Sequence, residues 1–406
     1  MTAGIRVRPD AVVMGDLNLL RAVGRAGLRS LAVSSDPRVE RSRFAAAAVG
    51  IPKPGAHTDA AAEALVAIGR ALEQDFGDYR PVLYYSNDAQ LLLVSRHREA
   101  LGRYFRFRLP DAALVERLVD KAEFQRLAEE LDLPIPRRLP WSPAEGASLP
   151  AFPCVIKPAS RVGWFDTQVV ETLHGVPHKV LKITTADALA FWTGAMQRAG
   201  RPFVLQEFIG GGDDQIFSFH AYLDGHGQPL ASFVGRKVRT YPLETGRSTY
   251  LELVHEPEVR TLGGAIAKTL GLVGVVKMDF KRDPASGRFH LLEINARFNL
   301  WHYLGAVCGV NLPAVAHGDL TGAPIPPRRE SAVGVRWLNL REDIKSGRAG
   351  VRAGRWDVAQ WLASYRGRKI YTVMAWDDPR PALYSAARWW RTRLHRYVGG
   401  AGRRAA

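Results

Sequence analysis

A short stretch in the last third of the chain predicts a β-hairpin with an acidic face. Its arms are residues 275–280 and 289–295, and residues 283–287 between them have the composition of a tight turn. Side chains alternate between the two faces of a strand, so Lys277 and Asp279 share one face of the first arm. The hairpin therefore places a cation and a carboxylate side by side.

The second arm of this hairpin contributes a matching set of polar side chains. Glu293 and Asn295 share a face, and Arg297 joins them if the strand continues. Pairing of the arms gathers two carboxylates, an amide oxygen and two cations into one patch. Oxygen ligands of this kind suit Mg²⁺, which usually binds phosphate groups as well. The alternative is a surface hairpin with a solvated charged face, which is the commoner location of acidic residues.

The length and composition are typical of a globular protein. The chain has 406 residues, which is enough for two or three domains. Of these residues, 47% are hydrophobic and 24% are charged. No apolar run approaches the length of a membrane span, and the first residues lack the pattern of a signal peptide. Because Cys154 and Cys308 lie far apart in apolar surroundings, we expect no disulfide framework and a cytoplasmic location.

The formal net charge of +16 indicates anionic partners. Nucleic acid, an anionic membrane surface and anionic small molecules are the classes that fit. The basic residues are spread along the chain, and the sequence contains no zinc finger or RNP-type strand. We therefore expect no nucleic-acid binding, and the charge mildly favours anionic substrates.

The N-terminal third has the pattern of a parallel sheet covered by helices. Residues 11–14 form an apolar strand, a helical pattern follows, and residues 28–34 form a second strand. The turn at residues 14–18 has amides that could hold an anion, although the full G-x-G-x-x-G is absent. Asn87 and Asp88 follow a later strand, where α/β sheets bind ligands; a helix N-cap is the alternative.

Charged residues in the middle of the chain recur at the ends of predicted strands and helices. Lys121 begins a helix, and Lys157 ends a short apolar strand. A further strand carries Gln206 and Glu207, and a glycine run follows it before Asp214. The order then continues with the cationic residues Lys237 and Arg239 and with the acidic hairpin.

This order of residues resembles the ATP-grasp superfamily, and more closely its predicted carboxylate–amine ligase branch. The resemblance covers about residues 11–320. It rests on the Val-Ile-Lys-Pro strand, the Gln-Glu-Phe-Ile hinge before Gly-Gly-Gly-Asp-Asp, and the Leu-Leu-Glu-Ile-Asn-Ala-Arg arm of the hairpin. It implies an α/β and α+β architecture: an N-terminal Rossmann-like domain (1–112), a two-subdomain ATP-grasp domain (113–326) with a lid subdomain at 140–208, and a small basic, Trp-rich extension (327–406).

The resemblance also implies roles for individual side chains. Lys121 and Lys157 neutralise the α- and β-phosphates of ATP, since lysine is a flexible point charge. The hinge contacts the adenine edge, Asp214 accepts hydrogen bonds from the ribose, and residues 160–167 form the lid. The implied hinge residues are Gln206, Glu207, Phe208 and Ile209. The implied metal ligands are Asp279, Glu293 and Asn295. The cations implied around the γ-phosphate and the acceptor carboxylate are Lys237, Arg239, Lys277 and Arg297.

The implied activity is that of an ATP-dependent ligase that uses Mg²⁺ or Mn²⁺ with ATP. A carboxylate and ATP give an acyl phosphate and ADP, and an amine then displaces phosphate to form an amide. A carboxylate–thiol ligase or a carboxylase is the nearest alternative. A non-catalytic nucleotide-binding or membrane-surface scaffold is the alternative from another class. The implied partners are small-molecule carboxylate and amine substrates and a second copy of the chain.

Two further groups of residues are candidates at the acceptor side. The polar loop at residues 241–249 is placed to contact the acceptor or phosphate. A base for the amine could be a histidine, although single histidines on strands more often fill the structure. The histidines considered are His220, His290 and His302.

The character of the sequence changes after about residue 326. Arginine and tryptophan occur among glycines, and the last part is basic and aromatic. Such a segment could lie on an anionic membrane surface. It could also be a helix that docks on the protein through its tryptophans. We favour docking because the segment is short.

Overall fold

In the part of the chain that the structure describes, the strands form three β-sheets of four, seven and three strands. The computed structural model describes residues 7–141, 149–159, 180–200, 202–327 and 330–401. The predicted lid loop at residues 160–167 lies outside the described residues. The mixture of one parallel sheet with two largely antiparallel sheets confirms the predicted α/β and α+β fold class.

Parallel strands in the order β3-β2-β1-β4 form the N-terminal sheet. They are β1 (Ala11–Met14), β2 (Ser30–Val33), β3 (Ala45–Val49) and β4 (Val82–Tyr85). Three of them, β1, β2 and β4, are buried along their whole length, as expected for a parallel sheet covered by helices. The predicted βαβ opening is therefore confirmed. The associated helices are α1 (Leu17–Gly24), α2 (Pro37–Glu40), α3 (Thr58–Phe76), α4 (Asp88–Arg96) and α5 (Arg98–Gly102).

Two helices, α6 (Ala112–Val119) and α7 (Lys121–Glu130), follow this sheet as predicted. Asp120 lies between them, and its carboxylate accepts hydrogen bonds from two amides in the first turn of α7, at 2.9 and 3.0 Å. This N-cap fixes the start of α7 at Lys121.

The smallest sheet has three antiparallel strands in the order β6-β5-β7 and a hydrophobic core of its own. The strands are β5 (Cys154–Pro158), β6 (Leu181–Ile183) and β7 (Phe203–Glu207), with helix α8 (Ala186–Arg198). Cys154 and Ile156 on β5 pack in this core with Leu189 and Met196 of α8. This packing explains why the residues of β5 before Lys157 are apolar.

The largest sheet has the order β12-β11-β8-β9-β10-β13-β14. The strands are β8 (Ile216–Leu223), β9 (Pro229–Tyr241), β10 (Arg247–Val254), β11 (Gly274–Arg282), β12 (Phe289–Asn295), β13 (Val335–Leu338) and β14 (Arg368–Tyr371). The predicted acidic hairpin is confirmed as β11 and β12. The accompanying helices are α9 (Pro257–Thr269), α10 (Trp301–Val307), α11 (Leu312–Thr321), α12 (Leu340–Arg352), α13 (Val358–Ala363) and α14 (Arg380–Ala401).

The segment after residue 327 is integrated into the rest of the molecule. Strand β13 pairs with β10, so this segment extends the largest sheet. The buried Arg21 on α1 forms an ion pair with Asp378, 3.0 Å from Nε to Oδ2. The indole of Trp337 donates a hydrogen bond to Asn18 at 2.8 Å. The last part of the described chain is therefore bound to helix α1 of the N-terminal region. The predicted domain boundaries stay a prediction.

Helix α14 contacts the protein mainly near its start, and its two tryptophans are about half exposed, so the favoured prediction that they dock this segment is wrong. Pro381 is buried, and Arg41 lies over the ring of Tyr384, 4.2 Å from its centroid. Trp389 and Trp390 are 48% and 60% exposed. Trp390 lies nine residues after Pro381, about two and a half helical turns, and so points the opposite way. Among the described residues, no helix combines the length and apolarity needed to cross a bilayer.

Candidate functional site

A cleft lies between the smallest sheet and the β11–β12 hairpin. The cleft consists of two adjoining pockets, and Lys121, Lys157 and Glu293 line both of them. The Lys121 amide donates a hydrogen bond to the carbonyl of Ala159 at 2.7 Å, which holds the start of α7 beside the end of β5. Burial, together with the nearby charge of Lys121, lowers the pKa of Lys157 to about 8. Two cations held this close favour an anionic ligand between them.

The register of the hairpin assembles the predicted polar patch. Asp279 lies directly opposite Glu293, and Lys277 lies directly opposite Asn295. Residues that face each other in this way share one face of the sheet, with Cβ atoms about 5 Å apart. The pairing is irregular after Asp279, where Leu292 has no partner on β11 and lines the cleft. The two carboxylates are thus neighbours at the edge of the cleft.

Asp279 is buried at the edge of the cleft and surrounded by donors. Its Oδ2 atom lies 2.7 Å from Lys277 Nζ and 3.4 Å from Lys237 Nζ, and the Ser218 hydroxyl donates to Oδ1. Burial alone would raise the pKa of Asp279, but Lys237 and Lys277 hold it below its usual value. The carboxylate therefore stays ionised at neutral pH, as a metal ligand must be.

The donor set fits a magnesium ion that also binds phosphate. Lys277 Nζ lies 2.7 Å from Asp279 and 3.7 Å from Glu293, so both carboxylates are directed at one positive charge. Among the described residues, no group of three His, Cys, Asp or Glu side chains could hold a metal ion. Mg²⁺ commonly binds one or two carboxylates and completes its coordination with phosphate and water. The carboxylate pair, with the Asn295 amide, is such a partial site, and the roles of these ligands stay a prediction.

The hinge strand β7 directs two adjacent polar side chains to different places. Gln206 lines the cleft, and its amide donates to the side chain of Gln125 on α7. The Glu207 carboxylate instead accepts a hydrogen bond from the Arg137 amide at 2.9 Å. Of these two polar side chains, Gln206 is therefore the one that lines the cleft. The predicted contacts of the hinge with adenine stay a prediction.

The two hinge residues that follow β7 pack between sheets. Ile209 is buried. Phe208 has Lys182 of β6 over its ring, at 4.2 Å from the centroid, and Lys281 of β11 at 4.7 Å. These cation–π contacts link the smallest and largest sheets beside the cleft. No sequence pattern predicts these contacts, because the three residues are far apart in the chain and share no motif.

The two acidic residues after the glycine run differ in their surroundings. Asp213 is buried and accepts hydrogen bonds from the Thr240 amide at 2.7 Å, the Thr240 hydroxyl at 2.8 Å and the Glu244 amide at 3.0 Å. Burial raises the pKa of Asp213 even though these hydrogen bonds favour its ionised form. Asp214, the predicted ribose ligand, is exposed and accepts from Gln215 at 2.8 Å. The first acid connects two loops, and the second faces solvent.

Lys237 and Arg239 were predicted to act together, and the structure separates them. Lys237 lines the cleft, whereas Arg239 is 4% exposed and binds Asp343 of α12 through two nitrogens, at 3.0 and 2.7 Å. The pairing of β9 with β10 shifts between these positions: Lys237 faces Leu251, but Arg239 faces Tyr250. This bulge turns the two side chains to opposite faces of the sheet. The predicted place of Arg239 around the γ-phosphate is therefore wrong.

Arg297 lies where the N-terminal sheet meets the hairpin. Its guanidinium donates to Asp88 at 2.5 Å, to the Ser86 carbonyl at 3.1 Å and to Asn295 Oδ1 at 2.9 Å. Asn87 caps α4, as the alternative interpretation held, by accepting from the Gln90 amide. Asp88 lines the cleft and fixes the position of Arg297. The N-terminal sheet therefore positions one of the predicted acceptor-side cations.

The predicted anion site in the first strand-to-helix turn is wrong. The Asp16 carboxylate accepts hydrogen bonds from the amides of Asn18 and Leu19, at 2.9 and 3.2 Å. These amides are the donors that an anion would need, and a carboxylate of the chain already occupies them. The turn is an ordinary N-cap.

The polar loop at residues 241–249 reaches the cleft as the turn between β9 and β10. Thr245 and Gly246 line the cleft together with Glu244. The Glu244 carboxylate lies 3.2 Å from Lys182 Nζ and 2.5 Å from a guanidinium nitrogen of Arg355. These two cations outweigh burial and lower the pKa of Glu244. The loop is therefore held in place at the cleft by ion pairs that sequence reasoning did not identify.

Two buried histidines lie close to Lys277. His220 on β8 pairs in register with Lys277, and its ring is 5.7 Å from that of His302. Neither ring nitrogen of His220, nor Nε2 of His302, has a hydrogen-bond partner among the described residues. Burial lowers the pKa of His302 to about 3 and also lowers that of His220. Both rings are neutral at pH 7, and a role for either as a base stays a prediction.

Sequence comparison identifies one relative with a known activity. The chain is 27% identical over 243 residues to a D-aspartate ligase from Enterococcus faecium (strain Aus0004). The match covers 57% of this chain and 56% of that ligase, so the chain spans about half the length of this relative. No protein-family model matches the chain.

Solved structures show the same fold at low sequence identity. The ADP complex of an N5-carboxyaminoimidazole ribonucleotide synthetase aligns with a TM-score of 0.58 at 14% identity, over 87% of each chain. An L-amino acid ligase from Bacillus licheniformis aligns with a TM-score of 0.54 at 15% identity, over 77% of this chain and 73% of that one. The cleft between the smallest sheet and the hairpin, in this fold, gives the chain the architecture of an ATP-grasp protein. The match to the D-aspartate ligase and these structural alignments agree with the predicted resemblance to ATP-grasp ligases, and membership of the carboxylate–amine ligase branch stays a prediction.

Proposed function

We propose that this protein is an ATP-dependent ligase that joins a carboxylate to an amine. The observation that carries the proposal is the cleft in which Lys121 and Lys157 lie on one side and Asp279 and Glu293 on the other. Such a cleft combines cations for phosphate groups with oxygen ligands for a metal ion. The similarity to a D-aspartate ligase supports C–N bond formation as the reaction.

The reaction proceeds in two displacement steps. A carboxylate oxygen attacks the γ-phosphorus of ATP, and the bond from that phosphorus to the oxygen of ADP breaks. The amine nitrogen then attacks the acyl carbon, the carbon–oxygen bond to phosphate breaks, and the nitrogen loses a proton. The products are an amide, ADP and phosphate. The protein contributes orientation and charge stabilisation, and no covalent nucleophile is needed.

The nucleotide lies along the cleft in this proposal. Lys121 and Lys157 bind the α- and β-phosphates, because both lysines line the two halves of the cleft. Gln206 and the backbone beyond β7 contact the base, and the exposed Asp214 accepts hydrogen bonds from the ribose. This orientation places the γ-phosphate beside the acidic hairpin.

Asp279, Glu293 and Asn295 hold the metal ion in this proposal. Bound Mg²⁺ or Mn²⁺ would neutralise charge that develops on the β- and γ-phosphates. Lys277 now occupies the space between the two carboxylates and would move toward the transferring phosphate when the metal binds. Lys237 contacts Asp279 from the other side and is placed to bind the same phosphate.

The acceptor carboxylate lies on the side of Arg297 and Lys277. Asp88 and the Ser86 carbonyl hold the guanidinium of Arg297 beside Asn295. An arginine fixed in this way can orient a carboxylate for in-line attack. The N-terminal sheet thus contributes to the acceptor site through Asp88.

Aspartate is the first acceptor to test. The relative is named as a D-aspartate ligase, and the charge of +16 favours an anionic substrate. A carboxylate–thiol ligase or a carboxylase would share the fold, but the relative with a named activity is an aspartate ligase. The supply of ATP favours the cytoplasm as the place of action.

The test is ADP release by the purified chain with Mg-ATP, D- or L-aspartate, and a panel of primary amines. We expect ADP release that requires both the carboxylate and the amine. The Glu293→Gln variant should lose this activity, whereas Glu258→Gln, an exposed position on α9, should retain it. ADP release that no carboxylate and no amine in a wider panel stimulates would contradict the proposal.

A further inference from the structure

Helix α14 presents exposed apolar and basic side chains on several sides, and we call the surface that they form the α14 face. It consists of Leu383, Trp389, Trp390, Arg391 and Arg393. The side chain of Leu383 is 66% exposed, beside the exposed tryptophan pair. Large apolar side chains clustered in this way mark a site of interaction in a folded protein.

The start of α14 holds this helix on the protein. Pro381 is buried, and the Tyr384 ring packs under Arg41 of α2. The segment before α14 is anchored by Asp378, which pairs with Arg21 and accepts a hydrogen bond from the Ser42 hydroxyl at 2.7 Å. The start of the helix that carries the α14 face is therefore fixed on the protein.

A groove lined by arginines runs beside the α14 face. Its lining side chains are Arg38, Arg341, Arg388, Arg393, Tyr384 and Trp389. Asp36 also lines the groove and neutralises Arg38 through two hydrogen bonds, at 3.0 and 2.6 Å. Arg393 lies over the ring of Trp389, 4.4 Å from its centroid. Guanidinium groups grouped in this way match the geometry of phosphate oxygens.

We infer that the α14 face binds the surface of an anionic phospholipid bilayer. Tryptophan prefers the boundary between lipid headgroups and acyl chains, and arginine can extend to the phosphates from a helix that lies in that boundary. Helix α14 has five arginines and no acidic residue between Arg380 and Ala401. A symmetric contact with a second copy would bring these arginines against each other, so charge favours the lipid surface.

The experiment is flotation of the purified full chain with vesicles of phosphatidylcholine alone or with 30% phosphatidylglycerol, at about 0.1 M and about 0.5 M NaCl. We expect binding to the anionic vesicles only, with a large loss at high salt. The Trp389→Ser/Trp390→Ser variant should bind at least tenfold more weakly. Arg391→Gln/Arg393→Gln should also bind at least tenfold more weakly, and the matched Arg103→Gln/Arg348→Gln variant, at exposed positions elsewhere, should bind like the parent.

Each variant is also checked by thermal melting and by light scattering after size exclusion. Equal binding to neutral and anionic vesicles would overturn the inference, and so would an equal loss in the control variant. A parent dimer that the tryptophan variant converts to a monomer, without vesicle binding by either, would show that the α14 face is a protein interface. These results are independent of ADP release, so the inference can fail while the ligase proposal stands.

Discussion

Lys237 and Arg239 lie two residues apart on β9 and belong to two different charge clusters. Arg239 binds Asp343 through two nitrogens and Ser364 through a third, and the rings of Tyr250 and Tyr365 cover it. Every polar contact in this buried cluster is made within the protein. Lys237 faces the cleft instead, where Asp279 is shared with a second lysine.

The comparison shows how a structural ion pair differs from the charged groups of the proposed nucleotide site. A buried pair with complete hydrogen bonding contributes to a single arrangement of the chain. In the cleft, Lys237 and Lys277 share the carboxylate of Asp279, and burial together with the like charge of Lys121 lowers the pKa of Lys157, so positive charge is concentrated there. An anion such as a polyphosphate relieves this imbalance.

Replacement of Glu293 by glutamine should have the largest effect on activity and almost none on the fold. Loss of a metal ligand should lower amine-dependent ADP release by more than about 100-fold, since even second-sphere changes cost 10–100-fold. Melting should stay within about 1 °C of the parent, because Glu293 is partly exposed. Near-normal turnover in Glu293→Gln would show that the metal lies elsewhere.

The two cations of β9 can be tested against each other. Arg239→Met leaves Asp343 buried without its partner and should lower the free energy of unfolding by about 3–5 kcal/mol. Lys237→Met should lower ADP release by about 100-fold, while Asp279 keeps Lys277 and Ser218 as partners. Denaturant unfolding and steady-state kinetics on both variants measure these effects. A stable Arg239→Met enzyme without activity would contradict the separation.

Nucleotide binding should weaken as the pH rises through the lowered pKa of Lys157. The free protein loses this proton near pH 8, and a bound polyphosphate favours the charged form, so affinity for ADP should fall by about tenfold per pH unit above 8. In the unfolded chain, Lys157 stays protonated up to about pH 10.4. This residue therefore makes the free energy of unfolding rise with pH between about pH 8 and about pH 10.4. Calorimetric titration from pH 7 to 9.5 measures the affinity. Lys157→Arg should remove the pH dependence, and an unchanged profile in that variant would refute the assignment.

The smallest effects should come from the two acids after the glycine run. Asp214→Ala should weaken ATP binding by about tenfold through lost hydrogen bonds, with stability unchanged. Asp213→Ala should instead lower stability by about 1–3 kcal/mol, because the amides of Thr240 and Glu244 lose their acceptor. Equal nucleotide affinity in the parent and Asp214→Ala would remove Asp214 from the ribose site.

Local patterns were sufficient for the βαβ opening and for the hairpin, whereas the fold class of the whole chain followed from the resemblance to a known family. Strand alternation and turn composition placed Asp279 and Glu293 together, and the register confirms it. The sequence pattern also predicts the strand that carries Lys157 and the helix that begins near Lys121. These features need only neighbouring residues to be recognised.

The features that the sequence did not predict depend on irregular pairing or long-range packing. Alternation alone puts Lys237 and Arg239 on one face, and only the bulge between β9 and β10 reverses Arg239. The outward face of α14 depends on which side of the helix meets α2, which its tryptophans do not reveal. Likewise, Arg297 owes its position to Asp88, a residue 209 positions away in the chain.

The measurement that tests the central claim most directly follows oxygen atoms through the reaction. The enzyme is supplied with Mg-ATP, an amine and a carboxylate labelled with ¹⁸O, and the products are analysed by mass spectrometry. Transfer of the carboxylate oxygen to the γ-phosphorus predicts ADP and released phosphate that carries one ¹⁸O atom. Amide formation with unlabelled phosphate, or with the label in AMP, would contradict the acyl-phosphate route and the role assigned to the cleft.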